Sequence, residues 1–274
     1  MIFDPSKPPL TDSAGLLKSI PVEAEPEIWK RATRVISSGL CDLQVNGFAG
    51  VDYNDPTLMP EEFEKSLFTM LSTGVTTCLP TVITGSEDWQ IQCFHALEEG
   101  RNASKLAQAM IPGYHLEGPF LNPEEGFCGC HPSKWMRPAT WDHFERLQEA
   151  AGGRIKLITV APEIKGVLDL IPKLVEKGIA VAIGHCNPDH DTLLRAADAG
   201  VTLSTHLGNG IAQILPKKDN PILGQLAEDR FSASFIADGV HQQPHVLRVY
   251  LRAKQSSRTI LVTDGTSCSA ALPG

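Results

Sequence analysis

Short apolar runs alternate with longer amphipathic stretches from Leu40 to the end of the chain. Apolar runs bounded by turn residues are typical of buried strands. They predict eight strands, at Leu40–Val45, Thr76–Pro80, Ile111–Leu116, Ile155–Val160, Ala180–Ile183, Val201–Leu203, Ser232–Ile236 and Thr259–Thr263. The residues before Gly39 are proline-rich and show little periodicity.

The amphipathic stretches have helical spacing. In the stretch that begins at Lys165, apolar residues recur every three or four positions, which gives a helix one apolar face. The predicted helices are Pro60–Ser72, Asp88–Met110, Trp141–Ala151, Lys165–Lys177, His190–Ala199, Ile222–Glu228 and Pro244–Lys254. This alternation predicts an α/β fold, a parallel (β/α)8 barrel of the TIM type. A doubly wound sheet shares the alternation, but GxGxxG after the first strand and GxxxxGK[ST] are both absent, which weakens a nucleotide-binding hypothesis.

The composition excludes several classes of protein. Of the 274 residues, 42% are hydrophobic and 20% charged, with a formal net charge of −8. This is a globular composition, and an acidic chain without a Lys/Arg cluster is not expected to bind nucleic acid. No apolar run is long enough to span a membrane and no secretory leader is recognisable. Seven cysteines without a CxxC pair predict reduced thiols in a cytoplasmic protein.

Polar residues stand at the carboxyl ends of the predicted strands, where active sites of such barrels lie. They are Gln44, Asn46, Glu117, His185, His206, His241 and Asp264. One carboxylate and two imidazoles on one rim match the ligands of a catalytic zinc ion, while iron, manganese or cobalt would accept the same atoms. An aspartate at the last strand end could take a proton from water there. A single histidine at a strand end is more often structural than a metal ligand. The metal hypothesis therefore depends on three compatible ligands at three strand ends and an aspartate at a fourth.

The segment Cys128-Gly129-Cys130-His131 has two interpretations. Its C-x-C spacing brings only two thiolates together, and no second pair exists elsewhere in the chain. A structural metal cluster is therefore the weaker hypothesis, and a loop that contacts substrate is the stronger one.

Eight segments occur in the order seen in one enzyme family. They are GLCDLQVNGFAGVDYND, TCLPTVITG, HLEGPFLNPEEGFCGCHP, ITVAPE, AIGHCNPD, THLGNG, ADGVH and RTILVTDGTS. From Gly39 onward the sequence therefore resembles the N-acetylglucosamine-6-phosphate deacetylases of the amidohydrolase superfamily. The resemblance implies a metal-dependent hydrolase barrel that converts N-acetyl-D-glucosamine 6-phosphate to glucosamine 6-phosphate and acetate.

The resemblance also implies roles for individual residues. Gln44 and Asn46 stand where most amidohydrolases carry His-x-His, which implies one divalent metal ion rather than two, with zinc preferred. The family pattern assigns the metal ligands Glu117, His185 and His206, the general base and acid Asp264, and the carbonyl-polarising His241. It places the sugar-phosphate contacts at Cys130, His131, Asn209 and Gly210. The family also forms homodimers in which the partner chain completes the sugar pocket, and the same is expected here.

The sequence departs from the family pattern in three ways. Gly208 replaces a usual Tyr or Phe, and Gly210 replaces a usual Ala. The loop that leads to His131 is about two residues longer than the commonest form. The phosphate-binding arginine has no clear counterpart, and Lys217 or Lys218 is the nearest cation, without the bidentate fork of arginine. Two alternative functions therefore stay open: an amidohydrolase for a related N-acyl amino sugar or cyclic amide, and a truncated, non-catalytic barrel.

The two ends of the chain carry a separate expectation. Residues 1–38 are interpreted as an N-terminal segment, a remnant of a small β-domain or an extended arm, and 39–274 as the barrel. Ten residues follow Asp264. A barrel normally has a helix after its last strand, and the family adds closing strands of a small β-domain, so that domain is expected to be reduced or missing. The first and last strands should then be incompletely covered unless a partner chain covers them. The protein is expected to be less stable than a full-length relative, prone to self-association, and weakly active or inactive.

Overall fold

The computed structural model describes residues 39–271 and two short strands before them, Leu10–Thr11 and Leu17–Ser19. The chain divides into two units, Met1–Leu40 and Cys41–Gly274. In the first unit the two short strands pair antiparallel. The prediction for residues 1–38 otherwise falls outside the described residues and stays a prediction.

Eight strands form one sheet in sequential order, and all eight predicted strands are confirmed. They are β1 (Leu40–Val45), β2 (Val75–Val82), β3 (Tyr114–Glu117), β4 (Ile155–Val160), β5 (Ala180–Ile183), β6 (Leu203–Ser204), β7 (Ser232–Ile236) and β8 (Thr259–Val262). The pairs from β2 to β8 are parallel. At least one helix lies between each pair of consecutive strands, so the predicted (β/α)8 barrel is confirmed.

The helices lie close to their predicted positions. They are α1 (Pro60–Ser72), α2 (Glu87–Ala103), α3 (Lys105–Met110), α4 (Trp141–Ala150), α5 (Val167–Glu176), α6 (His190–Ala199), α7 (Pro221–Ala227) and α8 (Pro244–Lys254). The single helix predicted at 88–110 is wrong. Ser104 adopts an extended conformation there, and its hydroxyl accepts the N–H of Ala107, so it ends α2 and caps α3.

The strand ends are positioned by two layers inside the barrel. Toward the amino end, alternate strands contribute apolar side chains to one layer: Leu79, Leu157, Leu203 and Ile260. Above it lies a polar layer, in which His115 Nε2 is 2.7 Å from Thr159 Oγ1 and Thr159 Oγ1 is 2.7 Å from Thr205 Oγ1. These buried side chains fix the heights at which β3, β4 and β6 deliver the residues that follow.

The barrel closes at its carboxyl end, between β1 and the residues after β8. Val45 bridges Gly265, Asp264 N–H donates to the carbonyl of Gln44 at 3.0 Å, and further backbone bonds join 46–50 to 265–269. Asp42, only 4% exposed, accepts the N–H and the hydroxyl of Thr263. On the outer surface Leu261 is 57% exposed. The predicted low stability, self-association and weak activity stay predictions.

An apolar groove of about 610 Å³ lies beside β8 and is lined in part by Leu247 and Leu251 of α8.

Among the described residues, no helix combines the length and apolar character that a membrane crossing requires.

Candidate active site

Three predicted ligands meet at the carboxyl end of the barrel. Glu117 ends β3, and His185 and His206 follow β5 and β6. Their ligand atoms all lie within 4.8 Å of one another, and each residue is at most 5% exposed. Glu117 Oε1 is 2.9 Å from His206 Nε2 and 3.4 Å from His185 Nε2, while the two Nε2 atoms are 3.2 Å apart. We call these three residues the triad.

Strained backbone holds part of this site. His185, His206 and Asp264 have φ values of 50°, 28° and 47°, in a region that residues other than glycine rarely adopt. Each stands two residues after the last residue of a barrel strand. Because such conformations persist only where the surroundings enforce them, they cluster at functional sites. All three side chains line the cavity at the end of the barrel.

The ring of His185 is fixed on two sides. Its Nδ1 is 2.8 Å from the carbonyl oxygen of Phe127, so Nδ1 carries the proton and Nε2 presents its lone pair to the triad. A Cβ on Gly129 would lie 2.8 Å from this ring, and a Cβ on Gly210 would lie 2.5 Å from it. Both glycines have positive φ. Gly210, a departure from the family pattern, is thus required by the position of His185.

The electrostatics of the triad favour a bound cation. Burial raises the pKa of Glu117, but the nearby His131, His185 and His206 outweigh it and hold that pKa well below its usual range. Burial acts against a charge on His206, yet its hydrogen bond to Glu117 raises the pKa to about 9. The lone pair on His185 Nε2 and the carboxylate of Glu117 therefore attract positive charge to the same point. This donor set fits a divalent metal such as zinc.

His131 lies behind Glu117. Its Nδ1 accepts the N–H of Thr84 at 3.3 Å, and its Nε2 faces Glu117 Oε2 at 3.6 Å. The ring is 3% exposed, and burial lowers its pKa to about 3. The nearest groups to His131 are therefore Thr84 and the triad, and its predicted contact with substrate stays a prediction.

Asp264 lies across the mouth of the barrel from the triad. Asn46 Nδ2 donates to Asp264 Oδ1 at 2.7 Å, which leaves Oδ2 without a hydrogen bond from a described residue. Burial raises the pKa of Asp264. Gln44 is 1% exposed and does not line the cavity, so of the two residues predicted to line the site in place of His-x-His, only Asn46 reaches it.

His241 stands on the loop after β7 and is held by one carboxylate. Its Nδ1 is 2.7 Å from Asp238 Oδ2, and Asp238 Oδ1 accepts the backbone N–H groups of Val240 and His241. Although desolvation acts in the opposite direction, these hydrogen bonds lower the pKa of Asp238 to about 2. The side chain of His241 is 48% exposed, far more than the triad.

A cavity of about 470 Å³ joins these groups. Its lining contains nearly all the predicted site residues: the triad, Asn46, Asp264, His241, Cys130, His131, Asn209 and Gly210. Lys217 and Lys218 are exposed and lie outside it, and no Lys or Arg among the described residues lines it. At Gly208, a Cβ would lie 2.7 Å from Gln242 Nε2 and 2.9 Å from Tyr250, so these side chains occupy the space beside it.

Sequence reasoning missed further cavity residues. They are Asp52, Asn54, Ile83, Thr266 and Ser267. Ile83 directly follows β2, so the strand-end rule could have found it. Asp52 ends a short antiparallel pair, Gly47–Phe48 with Val51–Asp52, and Asn54 follows it two residues later. No sequence signal marks this hairpin as part of the site.

The fold and the triad define a class: this is a (β/α)8 barrel of the amidohydrolase kind. Curated relatives agree. The N-acetylglucosamine-6-phosphate deacetylase of Bacillus subtilis (strain 168) is 34% identical over 240 residues, which cover 87% of this chain and 60% of the relative. The N-acetylgalactosamine-6-phosphate deacetylase of Shewanella sp. (strain ANA-3) is 31% identical, covering 92% of this chain and 63% of the relative.

Solved structures give the same result. N-acetyl-D-glucosamine-6-phosphate deacetylase from Mycobacterium smegmatis matches with a TM-score of 0.80 and 26% identity, over 94% of this chain and 66% of that one. The enzyme from Pasteurella multocida matches with a TM-score of 0.75 and 29% identity, over 86% and 60%. No family model matched the sequence. The chain belongs to the N-acetylglucosamine-6-phosphate deacetylase family and spans about 60% of the length of the curated relatives it matches.

Proposed function

We propose that this protein hydrolyses the acetamide of N-acetyl-D-glucosamine 6-phosphate, releasing acetate and glucosamine 6-phosphate. The observation that carries the proposal is the buried triad, with Asp264 facing it across one cavity, in a chain whose relatives are named as deacetylases. The Mycobacterium smegmatis relative has been solved in complex with this sugar phosphate. The donors and the base together suit hydrolysis of an amide.

Glu117, His185 and His206 would hold one divalent metal ion, with zinc preferred and iron, manganese or cobalt as alternatives. The bound ion would polarise the amide carbonyl and make water more acidic. The carbonyl of Phe127 supports this role, because it keeps His185 in the tautomer that a metal requires.

Asp264 would move the proton. As a carboxylate it accepts a proton from water while the water oxygen bonds to the acetyl carbon. It then donates that proton to the sugar nitrogen as the C–N bond breaks, which leaves acetate and a free amine. The hydrogen bond from Asn46 orients Oδ1 and leaves Oδ2 for the water. The raised pKa of Asp264 makes it a stronger base than a solvated aspartate.

His241 would stabilise the oxyanion that develops on the acetyl oxygen. Its Nδ1 faces Asp238, so Nε2 is the atom left for the substrate. To donate from Nε2 while Nδ1 donates to Asp238, the ring must carry both protons, and the adjacent carboxylate neutralises that charge. Asp238 is therefore proposed as its orienting partner.

The sugar and its phosphate would lie toward Asn209, Gly210 and the following loop, with Lys217 or Lys218 as the cation. Both lysines are exposed, so that loop would need to close on the substrate, or a second subunit of a homodimer would need to cover it. All seven cysteines are free, which supports a location in the cytoplasm.

A deacetylation assay tests this function. Purified protein is loaded with Zn²⁺, and free amine is measured with N-acetylglucosamine 6-phosphate, its unphosphorylated form and N-acetylgalactosamine 6-phosphate. We expect turnover of the glucosamine phosphate, loss of turnover after chelation, and recovery on adding metal. A folded, metal-loaded protein that released no amine from any of the three would overturn the proposal.

A further inference from the structure

The cavity offers an acyl methyl group one apolar position. Among its described lining residues, Ile83 and Cys130 are the apolar side chains, and all the others are polar, charged or glycine. A methyl group gains free energy when it leaves water for an apolar contact. If the substrate is an N-acetyl amino sugar, as proposed above, its methyl group should therefore rest against Ile83 and Cys130.

A second pocket lies behind this position. It has a volume of about 340 Å³ and shares both Ile83 and Cys130 with the cavity. Its remaining walls include Trp89, Pro132 and Trp135. Ile83 and Cys130 therefore form a partition between a polar reaction cavity and a pocket with aromatic walls, which we call the aromatic pocket.

The two hydroxyl groups that line the aromatic pocket are already engaged. The hydroxyl of Thr84 is 3.0 Å from His131 Nδ1, and the hydroxyl of Ser86 accepts the N–H of Trp89 at 3.3 Å. A sugar ring or a charged group would find few free hydrogen-bond partners in it. An aliphatic chain needs none, so the pocket fits the end of an acyl group.

The backbone of Ile83 and the ring of Trp89 are held in place. The N–H of Ile83 donates to Asn54 Oδ1 at 3.0 Å, and its carbonyl accepts from Gln90 Nε2 at 2.9 Å. The indole of Trp89 lies against Gly85, where a Cβ would come within 2.2 Å of the ring. Because the backbone of Ile83 is held on both sides, shortening its side chain should join the two spaces rather than collapse them.

We propose that Ile83 determines the length of the acyl group that this site accepts. Its side chain closes the aromatic pocket and confines the reaction to short N-acyl groups. With a smaller residue at this position, the pocket receives the apolar end of an N-propionyl or N-butyryl chain. The substrate class is then N-acyl amino sugar phosphates with acyl chains of up to about four carbons.

The kinetic test compares N-acetyl-, N-propionyl- and N-butyrylglucosamine 6-phosphate. One methylene in an apolar pocket is worth roughly 10- to 200-fold in kcat/KM. We expect Ile83→Ala to raise the butyryl-to-acetyl ratio of kcat/KM by about 10-fold or more. The milder Ile83→Val should raise the propionyl-to-acetyl ratio by a smaller factor. Ile91→Ala, the same change at a partly buried position of α2 that lines neither space, should leave both ratios unchanged.

A double variant, Ile83→Ala with Trp135→Ala, should lose the gain on the butyryl substrate, because the apolar wall is gone. If Ile83→Ala and Ile83→Val keep acetyl turnover but neither shifts preference toward the longer chains, the proposal is overturned.

A binding measurement separates this proposal from the proposed function. N-butyrylglucosamine 6-phosphate is titrated into metal-free protein while tryptophan fluorescence is followed, because two tryptophans line the aromatic pocket. We expect a saturable fluorescence change with the Ile83→Ala protein. The unaltered protein should bind the same ligand with an affinity at least about 10-fold lower. Equal responses from the two proteins would overturn the role of Ile83. Failure of the unaltered protein to hydrolyse the acetyl substrate would instead overturn the deacetylase function.

Discussion

The two ends of the barrel bury charge in different ways. At the amino end, Lys254 is fully buried, and its Nζ donates to the carbonyl oxygens of Glu228 at 2.8 Å and Phe231 at 2.9 Å. At the carboxyl end, the triad is also buried, but its ligand atoms face one another across distances of 2.9–3.4 Å. Lys254 therefore finds its hydrogen-bond acceptors within the chain, whereas the metal-ligating atoms of the triad all lie around a single point.

This difference separates a structural buried charge from a functional one. A buried polar group that finds its partners in the backbone contributes to a stable fold. The ligands of the triad need a positive charge between them, and two of them stand on strained backbone. Such a group gains its partner from outside the chain. The following predictions test this contrast, from the largest expected effect to the smallest.

The largest effect is expected from removal of a triad ligand. Glu117→Gln, His185→Ala and His206→Ala should each weaken metal binding by more than about 100-fold, because even loss of a group that supports a ligand costs 10- to 100-fold. Turnover should fall with the metal. Metal analysis after dialysis checks this, with the exposed Glu145→Gln as the matched control. Full metal content in all three variants would show that the triad is not the metal site.

A large effect on turnover alone is expected from Asp264→Asn. The amide keeps the shape of the side chain and its contact with Asn46 can be remade, but it cannot accept a proton from water. Turnover should fall by roughly 10²- to 10⁴-fold, the range of general acid–base catalysis, with metal content unchanged. Parallel kinetics and metal analysis separate the two quantities. A fully active Asp264→Asn protein would exclude Asp264 as the base.

A smaller loss is expected from His241→Asn. If this ring stabilises the oxyanion, turnover should fall on the order of 10²- to 10³-fold while metal content and thermal stability stay the same. The side chain is 48% exposed, so its loss should change the folding free energy little. A lowered melting temperature with normal turnover would instead assign His241 a structural role.

The smallest effect on activity is expected at Lys254, which lies at the opposite end of the barrel from the triad. Burial lowers its pKa from 10.5 to about 8. Between these values the unfolded chain binds the proton and the folded chain does not, so stability contributed by this group rises with pH. Relative to Lys254→Met, the free energy of unfolding of the unaltered protein should rise by up to about 3 kcal/mol between pH 8 and pH 10.5. It should change little below pH 8.

Urea unfolding of both proteins across this pH range measures the gain. A constant difference between them would mean that Lys254 keeps an ordinary pKa in the folded state.

The sequence predicted the barrel because its information is local. Each strand is a short apolar run and each helix a periodic stretch, and both can be recognised within one window of the chain. The break at Ser104 was not predicted, since the flanking residues keep a helical pattern. The extended backbone of Ser104 ends α2, and its hydroxyl caps the start of α3 by accepting the N–H of Ala107. The positions of the triad followed from the same rule, because parallel strands end at one rim.

The sequence by itself determined which strand ends carry the triad, Asp264 and His241. Tertiary structure alone decided what surrounds them. It placed His131 behind Glu117 and the carbonyl of Phe127 on His185. It also brought Ile83, 34 residues before Glu117, between the cavity and the aromatic pocket. These contacts join loops that are distant in sequence, and their geometry depends on how the helices pack around the barrel, which no periodicity within a single segment records.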